Sequence, residues 1–291
     1  MNMTIGCCRW SCFFNNMQFR TPVNIPVPPF QIEPMEEMLF VGSCFADNIG
    51  QRFREEKFRA TVNPYGTMYN PASVLHTIEK CCQGTFAPRV VFITLGTNHV
   101  YRLKETGEIV DNCQKRPQHL FAEEILSIDA CVGYLRQAVD VLRAKRPDVQ
   151  VVFTVSPIRY QKYGFHESQL SKASLLLAVD RLVNDSSLFT PSSSLFYFPA
   201  YEILLDELRD YRFYKDDMLH PSPQAVEFIW QQVVEHYFSS AARQFLKEWK
   251  PLKEALGHRP FHPESEEYRI FMERTQQKIA ELEKKYAPSG K

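Results

Sequence analysis

Met38-Leu39-Phe40-Val41-Gly42-Ser43-Cys44-Phe45-Ala46 runs four apolar residues into a glycine, and a serine then precedes Ala46 to Phe58, where Ile49, Phe53 and Lys57 fall near helical spacing. An apolar run too short for a helix and closed by glycine reads as a buried strand. Serine in front of a helical pattern is a capping signal. The stretch therefore predicts strand, tight turn and helix.

The same alternation continues downstream. Val90 to Leu95 ends at Gly96, a helix-like stretch from Ala122 to Lys145 leads to Pro147, and Val149 to Val155 is closed by Ser156-Pro157. A helix from about Gln169 to Val183, a shorter strand at Leu195 to Phe198 and a helix from Ser222 to about Phe238 follow. Near-continuous Val, Ile and Phe strands separated by helices imply a parallel sheet covered on both faces. With Phe58 to Val62 as a further strand there are five, so the expected fold is a three-layer α/β/α domain with a flavodoxin-like, doubly wound sheet over residues 38–240. Residues 1–37 carry Pro22, Pro26, Pro28, Pro29 and Pro34 and should form an extended strap. Residues 241–291 read as a helical hairpin in which Trp249 and Phe271 should be buried, either on the main domain or against a second copy in a homo-oligomer.

Composition narrows the partners. The 291 residues hold 34 Lys+Arg and 34 Asp+Glu, and no segment concentrates basic residues as a nucleic-acid binder would. No run approaches the ~20 apolar residues of a membrane span. The eight cysteines include the adjacent pairs Cys7-Cys8 and Cys81-Cys82 without zinc-site spacing. Met1 to Phe14 has only Arg9 as a positive charge and a broken apolar run, so a cytoplasmic protein with reduced thiols is expected. Residues 1–16 are expected to be dispensable, with Met17 as an alternative start.

In open parallel sheets ligands sit beyond the carboxyl ends of the strands, so residues just after each strand matter most. Ser43 follows the first strand at a helix N-terminus, where its hydroxyl either reacts or merely caps the helix. Asn98, after the third strand, either donates to an oxyanion or makes a turn. Gly66 in Asn63-Pro64-Tyr65-Gly66 permits a close backbone approach. Asp217 and His220 stand three apart before Pro221 and Pro223, so the carboxylate can orient the imidazole on a loop at the sheet rim. Cys44, in the first helical turn, is expected to pack into the core. His99, Arg159 and His166 are candidate substrate contacts.

Together these blocks resemble an SGNH hydrolase, with a nucleophile after the first strand, a Gly, a Gly-x-Asn and a late Asp-x-x-His. More closely, Gly42-Ser43-Cys44-Phe45-Ala46 resembles the pentapeptide that names the GSCFA family, and the likeness extends to Tyr69-Asn70-Pro71, Leu95-Gly96-Thr97, Ser156-Pro157-Ile158-Arg159, Gln169-Leu170-Ser171-Lys172-Ala173 and Tyr201 to Tyr214. The resemblance implies Ser43 as nucleophile, His220 as general base, Asp217 as its orienter, and the Ser43 N–H, Gly66 N–H and Asn98 side chain as oxyanion donors. One departure stands out: the superfamily's Gly-Asp-Ser is here Gly42-Ser43-Cys44. The implied activity is hydrolysis of a small-molecule or carbohydrate ester with no metal or organic cofactor. A non-catalytic binding module and an O-acyltransferase are the alternatives.

Overall fold

A computed structural model describes residues 20–111, 113, 116–188, 190 and 194–287. The expectations for residues 1–16, and for Cys7, Cys8 and Cys12, lie outside the described residues.

The first strand, β1 (Glu37–Gly42), leads into α1 (Cys44–Glu55) and β2 (Arg59–Val62), followed by α2 (Pro71–Cys82) and β3 (Val90–Leu95). The chain then makes β4 (His99–Leu103), β5 (Ile109–Val110) and β6 (Phe121–Ile125) before α3 (Ile128–Lys145), β7 (Gln150–Val155), α4 (Gly164–Val183) and β8 (Leu195–Tyr197). A single turn, α5 (Ala200–Glu202), continues as the π-helical stretch Ile203–Leu208, and α6 (Pro223–Tyr237), α7 (Ser240–Leu256) and α8 (Glu266–Tyr286) complete the chain. The main sheet has five strands in the order β2-β1-β3-β7-β8, all parallel, which is the flavodoxin-like order. Its direction of winding reverses between β1 and β3. The expected α/β fold is therefore present.

Successive strand residues point to opposite faces, and this periodicity divides the interior into two cores. Met38, Phe40, Val90, Phe92 and Val152 join α1, α6 and the C-terminal hairpin, with Phe40 stacked on Phe92 at 5.0 Å. Leu39, Val41, Val91, Ile93, Val151 and Phe153 pack on the other side with α2, α3 and α4. Both faces being covered explains why the strands read as unbroken apolar runs.

Two elements depart from expectation. The segment at Ala122 does not begin a helix: Phe121–Ile125 pairs antiparallel with β4 in a second, three-stranded sheet of order β5-β4-β6, and α3 starts at Ile128. This small sheet and α2 were not foreseen. In the hairpin, Trp249 is 3% exposed and donates its indole N–H to Glu55 O at 3.1 Å, whereas Phe271 is 41% exposed. Its ring borders an open groove lined by Pro251, Leu252, Ala255 and Thr275, so α7 covers it incompletely. Ile279 and Leu282, further along α8, reach the main core.

Candidate active site

The site forms where β1 delivers the chain to α1 at the carboxyl end of the sheet. Gly42 has φ +139°, and a Cβ there would lie 2.0 Å from Thr94 O, so only glycine lets β1 turn out of the sheet this close to β3. Ser43 comes next and is 1% exposed. Its N–H donates to Thr94 O at 3.0 Å, and its Oγ accepts the Phe45 N–H at 3.3 Å as the N-cap of α1. Ser43, expected as nucleophile and oxyanion donor, is thus placed as a buried cap whose N–H is given to β3.

Cys44 instead faces the histidine. As the first residue of α1 it is half-buried, with Sγ 3.5 Å from His220 Nε2. The helix phase decides this, because the capping residue turns inward and the next residue turns out toward the rim. Gly42-Ser43-Cys44 set on Gly-Asp-Ser without a gap places Cys44 at the third position, a signal already present in the sequence.

His220 is held as its spacing predicts. Its Nδ1 lies 2.6 Å from Asp217 Oδ2, while Asp217 Oδ1 accepts the N–H groups of Leu219 and His220, each at 2.9 Å. Those backbone donors first, and then the His220 ring, lower the Asp217 carboxyl to about 2. Met218 between them takes φ +56°, and the loop closes on itself through Lys215 N–H to His220 O at 2.8 Å. With Nδ1 facing a carboxylate, Nε2 is the nitrogen left to exchange a proton with Cys44.

Burial raises the Cys44 thiol above its ordinary value, and Asp47 adds to this; its own backbone N–H, Lys172 and Lys215 act in the opposite direction. The resting group is therefore a thiol that needs a base. The Cys44 N–H lies in the first turn of α1, beside its own thiol. A helix N-terminus favours negative charge there.

The other expected donors have partners within the protein. The Gly66 N–H closes its own turn on Asn63 O at 2.9 Å. Asn98 is 2% exposed and spends its Nδ2 on Leu126 O at 2.8 Å, because the chain passes directly from β3 into the small sheet and the amide ties that sheet to the start of α3. The Gly66 N–H is thus committed to its own turn, while the Asn98 amide has a second N–H beyond the one given to Leu126 O.

The candidate substrate contacts divide. His99 is buried and stacked on Tyr163 at 4.1 Å, and burial lowers its pKa. Arg159 braces the histidine loop, its N–H donating to Leu219 O and its Nη1 to Met218 O, both at 3.0 Å, while the guanidinium lies 4.1 Å from the Phe165 ring centre. His166 is exposed in the first turn of α4. Tyr69, not among the expected site residues, also lies at the rim, its carbonyl accepting the N–H groups of Gly96 and Thr97 at 2.8 and 2.9 Å, and burial raises its phenol above the ordinary value. Its signal was the Tyr69-Asn70-Pro71 block, since Asn70 caps α2 and Pro71 starts it, which leaves Tyr69 at the rim.

A polar cleft of about 790 Å³, lined in part by Asp47, Asn48, Gln51, Lys215 and Pro221, opens beside the His220 loop. Among the described residues no group of three or more His, Cys, Asp or Glu is placed to hold a metal ion, and no helix is long and apolar enough to cross a membrane.

Solved structures similar to this chain include a mutant acetyl esterase with acetate ion (14% identity, 73% of this chain and 99% of that one, TM-score 0.45). A carbohydrate esterase family 3 protein from Talaromyces cellulolyticus matches at 13% identity over 73% and 99%, with TM-score 0.42. An acetyl xylan esterase from Butyrivibrio proteoclasticus matches at 11% identity over 81% and 66%, with TM-score 0.39. No curated protein sequence matches the chain. Residues 249–288 match the GSCFA domain protein C-terminal domain, and with residues 37–89 and 85–233 matching the GSCFA family itself, the chain belongs to the GSCFA family.

Proposed function

We propose that this protein is a cysteine-dependent acyl hydrolase in which Cys44 is the nucleophile, His220 the general base and acid, and Asp217 the residue that orients His220. The observation that carries this reading is the line of contacts from Asp217 Oδ2 to His220 Nδ1 at 2.6 Å and from His220 Nε2 to Cys44 Sγ at 3.5 Å. His220 takes the thiol proton, and the thiolate attacks the ester carbonyl carbon, forming a C–S bond as the carbonyl electron pair moves to oxygen. That oxyanion forms beside the Cys44 N–H in the first turn of α1. Collapse breaks the ester C–O bond, and the imidazolium returns its proton to the departing alkoxide. Water, deprotonated by His220, then attacks the thioester, releasing the acid and restoring the thiol. The Asp47, Asn48 and Gln51 cleft supports a polar alcohol portion, as in a carbohydrate or other hydroxyl-rich ester.

Replacing the two neighbours separately tests the assignment. Cys44→Ala should abolish hydrolysis of short acyl esters, whereas Ser43→Ala should retain turnover within a few-fold and lose only the cap, about 0.5–2 kcal/mol of stability. Full activity in Cys44→Ala together with an inactive, folded Ser43→Ala would overturn the reading.

A further inference from the structure

Asn63, the residue after β2, is 9% exposed and takes φ +38°, a left-handed conformation that residues bearing a Cβ adopt at a cost and asparagine tolerates better than most. Such strain persists where the surroundings fix it, and it concentrates at functional sites. Here the backbone is fixed on both sides. Its N–H donates to Phe40 O at 2.9 Å, and its carbonyl accepts the Gly66 N–H at 2.9 Å.

What that backbone presents is the side-chain amide. Asn63 Oδ1 accepts the Gly42 N–H at 2.9 Å, while Nδ2 donates to Asp47 Oδ1 at 2.7 Å. Asp47 Oδ2 accepts the Thr67 hydroxyl at 3.2 Å, and the Gly42 carbonyl accepts the Met68 N–H at 2.8 Å. Gly42 ends β1 and stands two residues before Cys44, whereas Asp47 lies in the first turn of α1 and stands three residues after it. One planar group, acceptor at one end and donor at the other, thus grips the chain on either side of Cys44. The Ser43 N–H, given to Thr94 O, holds the same turn from the β3 side.

We propose that Asn63 is a positioning residue for the Cys44 chemistry: its amide ties Gly42 to Asp47 across the strand-to-helix turn and so fixes the Cys44 Sγ against His220 Nε2. The proposal rests on Cys44 being the nucleophile. The two partners in the 3.5 Å contact are held by different parts of the chain. His220 is set by its own loop, through Asp217 and the Lys215 N–H, and Cys44 is set by the turn that Asn63 bridges. A tilt of that turn lengthens the contact without disturbing the histidine, and a misplacement of about 1 Å can cost about a hundredfold in rate.

The test reads kcat and KM on an activated acetyl aryl ester, whose leaving group has no hydroxyls to offer the polar cleft that Asp47 lines, well below the melting temperature of each variant. Asn63→Gly accepts φ +38° without strain and deletes the amide. Asn63→Asp keeps the acceptor for the Gly42 N–H but turns the donor into an acceptor facing Asp47. Each should lower kcat by about tenfold to a hundredfold with KM nearly unchanged; a purely structural amide would lower the melting temperature and leave the kcat of folded molecules alone. Asn63→Asp combined with Asp47→Asn exchanges the two roles, because the new amide can donate to the new carboxylate, and should recover most of the kcat lost in Asn63→Asp. A folded Asn63→Gly or Asn63→Asp with wild-type kcat overturns the proposal, as does a combined variant no faster than Asn63→Asp. If neither single variant folds, the bridge is a requirement of folding and the proposal is overturned too. Full turnover in Cys44→Ala would instead overturn the Cys44 reading itself.

Discussion

Cys44 and Ser43 are adjacent, small and similar in chemistry, yet the fold gives them opposite environments. Both the Ser43 N–H and its Oγ are consumed in ending β1 and starting α1, while Cys44 is turned toward His220. That difference is one of helix phase, and a strand-turn-helix pattern alone does not show which residue of the turn becomes the cap. The Asp217–His220 pair was legible because its geometry is local, three residues on one loop. Which of the expected donors have partners within the protein was not legible, because that depends on distant acceptors: Thr94 for the Ser43 N–H and Leu126 for one N–H of the Asn98 amide. Asp217 carries a prediction at this scale. Its carboxyl is lowered to about 2, so any contribution it makes to folding is complete above the ordinary carboxylate pKa and is lost as pH falls through about 2. Throughout the neutral range it is a fixed anion. Asp217→Asn should thus leave the melting temperature near that of wild type and lower kcat by orders of magnitude through a misoriented or wrongly protonated imidazole, whereas Asp216→Asn should change kcat little. Paired kinetics and thermal melts of the two variants check this, and a reversed order would mean that the carboxylate at 216 holds the ring.

At the scale of elements, strands buried on both faces declared themselves. Val90 to Leu95 is apolar apart from Thr94 because two cores claim alternate residues. The segment Phe121-Ala122-Glu123-Glu124-Ile125 did not, because Ala and Glu favour helices and four of its five residues are exposed. Pairing with β4 overrides that preference, which no local pattern announces. The C-terminal hairpin shows the same dependence on tertiary contacts. Trp249 and Phe271 are both large apolar residues on amphipathic helices, but only Trp249 sits over the main domain, among residues that include Phe58, Phe238 and Phe245. Trp249→Ala should cost ~3–5 kcal/mol, while Phe271→Ala should cost about 1 kcal/mol or less, because much of its ring already meets solvent. Chemical denaturation of both variants measures the difference, and equal losses would show that the open groove beside Phe271 closes in solution.

For the whole molecule, sheet order and chemistry meet at one place. The chain winds outward from β1 to β2, then crosses back to β3, and the carboxyl ends of β1 and β3 form the rim where Cys44 and the His220 loop meet. The hairpin and the segment before β1 lie against the opposite face from α2, α3 and α4, with Ile32 N–H donating to Tyr237 O at 2.7 Å and Ile25 and Phe30 in the same core as Phe245. They support the α1 side of the sheet without contributing to the proton path. The central claim is that the acyl group passes through the Cys44 sulfur. It is tested most directly by quenching the protein in acid during reaction with an activated acetyl ester and mapping the added acetyl by mass spectrometry. The account predicts a single hydroxylamine-labile acetyl on the Cys44 peptide, located at the cysteine, retained in Ser43→Ala and absent from Cys44→Ala; an acetyl on Ser43 that persists in Cys44→Ala would contradict it.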